Sequence, residues 1–138
     1  MASVEPSHEQ LQTLVAQAAD DSPIVMINLL RYRDRAVYPP DMSADPCSGR
    51  EAYQRYGAGV TPLLAEAGGR ILWFGSAKQT VIGPEGEQWD DAILVQYPSR
   101  KAFLGMVSSN AYLEIGVHRA AALADSRLIA TATVQTIL

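Results

Sequence analysis

Residues Trp89–Ala130, WDDAILVQYPSRKAFLGMVSSNAYLEIGVHRAAALADSRLIA, read as a strand, a helix and a second strand with both boundaries marked. The apolar run Ala92–Val95 stops at Tyr97-Pro98-Ser99, and Ser99 is placed to cap the helix that follows. Ser108-Ser109-Asn110 interrupts that helix and can recap it, after which Tyr112, Ile115, Arg119, Ala122 and Leu123 share one face. Ala124-Asp125-Ser126 is the expected helix stop, and Arg127 to Val134 the expected last strand.

Working outward, the preceding segment supplies a hairpin. Arg70 to Ile82 reads as a strand, Gly83-Pro84-Glu85-Gly86 as a turn, and Gln88 to Tyr97 as the returning strand. Before it, a helix is expected from about Arg50 to Ala67, with Tyr53, Tyr56, Val60, Leu64 and Ala67 on one face. Pro62 would kink it, and Gly68-Gly69 stops it. Ile24 to Tyr32 (IVMINLLRY) reads as a buried strand interrupted by one polar residue, Asn28. A long irregular segment from Arg33 to Ser48 joins the two. At the start of the chain, Ser7-His8-Glu9-Gln10 forms a capping box for a first helix that Asp20-Asp21-Ser22-Pro23 ends.

The order is therefore helix, then βαββαβ. Two split βαβ units around one four-stranded antiparallel sheet make an α+β, ferredoxin-like sandwich. The expected division is an N-terminal helical extension, residues 1–22, and a ferredoxin-like domain, residues 23–138. Helices cover only one sheet face. The uncovered apolar face predicts a homodimer, sheet against sheet.

Composition bounds the function. The chain has 138 residues, enough for one core but not two. Net charge is −4, and Lys78 and Lys101 are the only lysines, so clustered phosphate contacts to nucleic acid are not expected. Arg31, Arg33 and Arg35 read as a solvated strand end, with Asp34 among them. Cys47 is the single cysteine, which excludes an intrachain disulfide and a cysteine-based zinc site. His8 and His118 lack ligand company, so no metal is expected. No dinucleotide, Walker or nucleophile-elbow motif occurs, and no cofactor is expected. With no signal-like start and no membrane-length apolar run, a soluble cytoplasmic protein without membrane partners is expected.

Several ordered pieces resemble one family. They are Val25-Met26-Ile27-Asn28-Leu29-Leu30, Gly49-Arg50-Glu51-Ala52-Tyr53, Gly68-Gly69 with Trp73 and Gly75, Trp89-Asp90, Tyr97-Pro98-Ser99-Arg100 and Ala122-Leu123-Ala124-Asp125-Ser126. Across residues 23–130 the chain resembles the domain of unknown function 1330 family, within the dimeric α+β barrel group. The resemblance implies the barrel fold and a dimer but no assigned reaction. The wider group includes cofactor-independent monooxygenases, haem-handling enzymes, lactone isomerases and stress-responsive proteins, an analogy at the level of fold.

Asn28 is the sharpest anomaly among the site candidates. It either bonds neighbouring backbone or enters the cleft between sheet and helices to hold a substrate carbonyl or oxyanion. His118 and Tyr56 are the candidate proton carriers, and Arg119 the candidate anion binder. Tyr53 is placed to reach the same ligand. Adjacent helix positions point about 100° apart, so His118 and Arg119 are not expected in one pocket, and His118 can instead pair with Glu114. Trp73 and Trp89 read as core or interface aromatics, or as walls for a flat ligand. Arg100 opposes the dipole of its helix and needs a carboxylate partner. Two functions remain open: a cofactor-independent enzyme, monooxygenase- or isomerase-like, on a small hydrophobic or aromatic molecule, or a non-catalytic ligand-binding, stress-related or structural dimer module.

Overall fold

A computed structural model describes residues 2–136. Its elements are α1 (His8–Ala16), β1 (Ile24–Tyr32), α2 (Gly49–Glu66), β2 (Arg70–Ser76), β3 (Asp91–Tyr97), α3 (Arg100–Val107), α4 (Asn110–Ala122) and β4 (Leu123–Thr131). The four strands form one antiparallel sheet in the order β2-β3-β1-β4, the ferredoxin-like arrangement read from the sequence. No helix among the described residues is long and apolar enough to cross a membrane.

Alternation along the strands decides which side chains meet the helices. Ile24, Met26 and Leu30 of β1 and Ile93 and Tyr97 of β3 point toward the helices and pack with Ala52, Leu64, Met106 and Ala122. Asn28 lies opposite Ile93 and Leu128 in the same set, between the two halves of this core. The intervening residues Val25, Ile27, Leu29, Leu94 and Ile129 form the outer face. Trp73 pairs with Leu94 on that face, where its ring lies over Gly75.

The expected caps form. Ser7 and Gln10 close a capping box, Ser99 accepts from Ala102 N–H, and Ser109 recaps the chain into α4 by accepting from Tyr112 N–H. Ser48 and Glu51 close a second capping box at the start of α2.

Two boundaries differ from those expected. β2 ends at Ser76 and β3 begins only at Asp91, leaving residues 77–90 as a long connection. The register ends with Ser76 opposite Asp91, so Val81 and Ile82 have no strand to pair with and stand 81% and 95% exposed. The second difference is at Ala124-Asp125-Ser126, which lies inside β4. The chain turns from helix to strand at Leu123 without a loop, and the Asp125 carboxylate is taken up by Ser3 N–H and Arg127. Arg100 finds its carboxylate in Asp20, 3.5 Å away, which ties α3 to the end of α1.

The segment between β1 and α2 is pinned at several points. Arg33 N–H donates to Ala122 O at 2.8 Å, Gly49 N–H to Arg33 O at 3.0 Å, and Val37 N–H to Ala121 O at 3.0 Å. A Cβ on Gly49 would stand 2.2 Å from Arg33 O and 2.6 Å from Ala122 O, so only glycine admits this approach of backbones. Farther along, Tyr38 O–H meets His118 Nδ1 at 2.7 Å and accepts from Arg55 Nη1 at 3.2 Å. A guanidinium can only donate, so the phenol oxygen accepts from Arg55, and the phenol proton is directed to Nδ1 in the tautomer that carries the imidazole proton on Nε2. Burial and the nearby Arg55 charge hold the His118 imidazole below its ordinary value of 6.5.

Two measurements check this account. Gly49→Ala is expected to destabilise the fold by about 3 kcal/mol or more, because the obstructing atoms are backbone. Gly57→Ala, whose Cβ meets nothing within 4 Å in the same helix, is expected to stabilise it by about 0.5–1 kcal/mol. Denaturant unfolding of the two variants reads both signs. For His118, the unfolded chain takes up a proton more readily than the folded one, so its contribution is complete above about pH 6.5 and is lost as pH falls toward the folded value. The melting temperature of the wild type should therefore drop more than that of His118→Gln between about pH 7.5 and 5. Parallel curves would remove His118 from the anchoring of this segment.

Candidate functional site

Four phenols lie between the sheet and the helices, on the sheet face to which Asn28 also points. Tyr53 and Tyr56 come from α2, Tyr112 from α4 and Tyr97 from β3. Ring centroids of Tyr53 and Tyr56 are 5.2 Å apart and those of Tyr56 and Tyr112 are 6.0 Å apart, with the two hydroxyls of the latter pair bonded at 2.9 Å. The row extends from Tyr53 to Tyr32 at 5.5 Å.

Tyr53 and Tyr97 have no hydrogen-bond partner for their hydroxyls among the described residues. Neither hydroxyl is sealed from solvent, since the only unpartnered side-chain polar atom so sealed among the described residues is Arg100 Nε. Both hydroxyls therefore keep some contact with solvent. Burial pushes the Tyr53 phenol up to about 12, with the Arg119 charge opposing the shift. Burial also holds Tyr56 and Tyr97 far above the ordinary tyrosine value, reinforced at Tyr56 by the proximity of Tyr112. All three are neutral hydrogen-bond donors near pH 7.

Asn28 meets both of its expected descriptions in part. Its amide nitrogen approaches Met26 O and Ile93 O, each at 3.4 Å, so the donor end is turned to strand backbone. The carbonyl oxygen has no partner among the described residues and is not sealed, which leaves Asn28 as an acceptor rather than an oxyanion donor.

Arg119 and His118 separate as the helix geometry requires. Arg119 Nη1 donates to Val4 O at 2.8 Å, and its charge acts on the phenols of Tyr53 and Tyr56. It makes no ion pair with any carboxylate among the described residues. Together with Tyr112 and Glu5 it lines a cavity of about 310 Å³ on α4. His118 turns instead to Tyr38, so the Glu114 pairing does not form and the imidazole stands apart from the phenols. The two tryptophans are not in the cleft. Trp73 is on the outer sheet face, and the Trp89 ring lies 5.0 Å from the Arg127 guanidinium, whose residue pairs with Leu29 on that face.

Sequence reasoning passed over Tyr97 and the buried carboxylate of Asp91. Asp91 is 2% exposed, accepts from Tyr32 O–H at 2.5 Å and faces Arg50 at 3.1 Å, while Arg50 lies over the Tyr32 ring. The signal for it was a carboxylate in phase with the inward positions Ile93, Val95 and Tyr97. A wider depression of about 460 Å³ lies between the end of α1 and Arg100. Asp20 and Arg100 pair across it at 3.5 Å while Arg100 Nε stays buried without a partner among the described residues, and no aromatic ring lines it, in contrast to the row of phenols. Among the described residues no three His, Cys, Asp or Glu side chains gather where a metal could be held.

Comparison with known proteins agrees with this fold. The RPA0582 protein of unknown function from Rhodopseudomonas palustris is 36% identical, with a TM-score of 0.89, over 99% of this chain and 100% of that chain. Its methylated form matches at 35% identity and a TM-score of 0.90, over 99% and 98% of the two chains. A hydroxynitrile lyase from Passiflora edulis is similar in fold alone, at 14% identity and a TM-score of 0.54, over 86% of this chain and 99% of that chain. No curated protein matches the chain. The family model described as domain of unknown function (DUF1330) matches residues 47–133, a span that leaves β1 and Asn28 outside it. On that match, which takes in α2 to β4, the chain belongs to the DUF1330 family.

Proposed function

We propose that the chain binds a small hydrophobic or aromatic molecule in the cleft between sheet and helices, and does so as a homodimer. The observation that carries the reading is the unpartnered, unsealed Tyr53 hydroxyl near an Arg119 that has no carboxylate partner among the described residues. A hydroxyl that the fold leaves to solvent is free for a ligand, and a ligand site requires a few such polar groups in an apolar wall. Aromatic faces favour a flat ligand, Tyr53 and Tyr97 offer donors, and Asn28 offers an acceptor.

The same groups weigh against proton abstraction. None of Asn28, Tyr53, Tyr56, Tyr97 and Arg119 is a base near neutral pH, and His118 is engaged elsewhere. Binding is thus the primary role. A cofactor-independent reaction would have to draw its acidity from the ligand and use the cleft only to orient it.

Self-association rests on the outer sheet face. Trp73 and Ile129 there are 49% and 50% exposed, flanking Ile27, Leu29 and Leu94. Such a contiguous apolar surface calls for a partner, and a second copy offers the same surface by two-fold symmetry.

Removing the Tyr53 hydroxyl should cost little stability, because it has no partner, while Tyr56→Phe breaks the bond to Tyr112 and should cost about 1 kcal/mol. Equal destabilisation by the two changes would mean that Tyr53 is structural. Ligand-detected NMR with small quinols and lactones should show binding that weakens about tenfold or more in Tyr53→Phe and Asn28→Ala. Unchanged binding in both would put the ligand outside this cleft, and oxygen uptake with a bound quinol would expose turnover. Light scattering should give a dimer for the wild type and a monomer for Ile129→Lys.

A further inference from the structure

We infer that the ligand of the cleft is a monocarboxylate with an aromatic body, held at Arg119, and that the Val4 carbonyl keeps its place in the free protein. The inference rests on the cleft reading above. Arg119 carries five N–H donors, and one of them is bonded, to Val4 O at 2.8 Å. No carboxylate among the described residues pairs with it, although its side chain is half-buried. A guanidinium withdrawn from water without an anion is costly, and a bidentate carboxylate is its best geometric match.

The neighbourhood sets the charge of the ligand. The Arg119 charge acts on the phenols of Tyr53 and Tyr56, and the cavity that Arg119 lines with Tyr112 and Glu5 contains no second cation. With the Glu5 carboxylate already on the same wall, a single negative charge is the most that this one guanidinium can hold. A phosphate, with its second charge, would lack a partner here. The volume of about 310 Å³ suits a small molecule, and the Tyr112 ring on its wall suits an aromatic one.

The arm that carries Val4 is held beside the site. Ser3 N–H donates to the Asp125 carboxylate at 2.8 Å, and Ser126 O–H donates to Ser3 O at 2.6 Å. Glu5 follows on the cavity wall and is the only carboxylate lining it. A ligand carboxylate would take the donor that Val4 O now uses, so the arm around Val4 and Glu5 should respond to binding.

The test compares phenylacetate with phenylacetamide, two probes of equal shape and different charge, on the full chain by titration calorimetry and amide NMR. Phenylacetate should bind wild type about tenfold or more tightly than the amide and shift the Val4 and Glu5 resonances. Arg119→Met should abolish that preference, bringing acid and amide to equal affinity, and Glu5→Gln should strengthen acid binding about two- to fivefold. Equal affinity of acid and amide for wild type would overturn the carboxylate assignment but leave the cleft reading standing. A preference that survives Arg119→Met would place the anion elsewhere. If neither probe disturbs the tyrosine resonances at millimolar concentration, both readings fall.

Discussion

The close approach of three backbones at Gly49 is the constraint on which the helix layer depends. Arg33 leaves β1, Gly49 starts α2 and Ala122 ends α4, and the three are joined by N–H to carbonyl bonds of 2.8 and 3.0 Å with no room for a Cβ. One junction thus fixes where α2 and α4 sit over the sheet. Gly59, whose Cβ would fall 2.6 Å from Ile115, permits the same two helices to pack closely farther along. With the helices set, the inward side chains of α2 and α4 converge over the middle of β1, and that convergence creates the cleft.

What fills the cleft is set by a balance between burial and hydrogen bonding. At one end Asp91 is fully buried, and Tyr32 and Arg50 satisfy it, so that end is structural. At the other end Ile24, Leu64, Tyr97 and Met106 close an apolar core. Between them Asn28, Tyr53 and Arg119 keep polar atoms that the protein does not use. A polar group left free costs folding energy unless water or a ligand reaches it. The contrast between a satisfied end and an unsatisfied middle is what separates scaffold from site here.

Much of the fold was legible because its signals are local. Ser7, Ser99 and Ser109 cap helices by bonds within three residues, and the alternation in Ile24–Tyr32 and Asp91–Tyr97 marks an inward face without knowledge of the partner strand. The misplaced ends of β2 and β4 depended on distant partners. Val81 and Ile82 have strand-forming side chains but no neighbour to pair with, and Asp125 tolerates a strand position because Ser3 and Arg127 reach it. Asn28 and Arg119 stood out in the sequence as candidates, each a polar residue in phase with an apolar face. The placement of Trp73 was not legible, because one extra residue in the ladder near Leu72 decides which sheet face the ring joins.

Taken alone, the sequence determined the order of elements and the antiparallel ferredoxin-like sheet. Periodicity and capping act over a few residues, and they suffice for those results. Only the tertiary structure decided that His118 serves Tyr38 rather than the cleft, that the tryptophans face outward, and that Tyr97 joins the phenols. These outcomes turn on contacts between residues far apart in the chain, such as the 80 positions between Tyr38 and His118. No local pattern encodes which of two faces a distant partner will occupy.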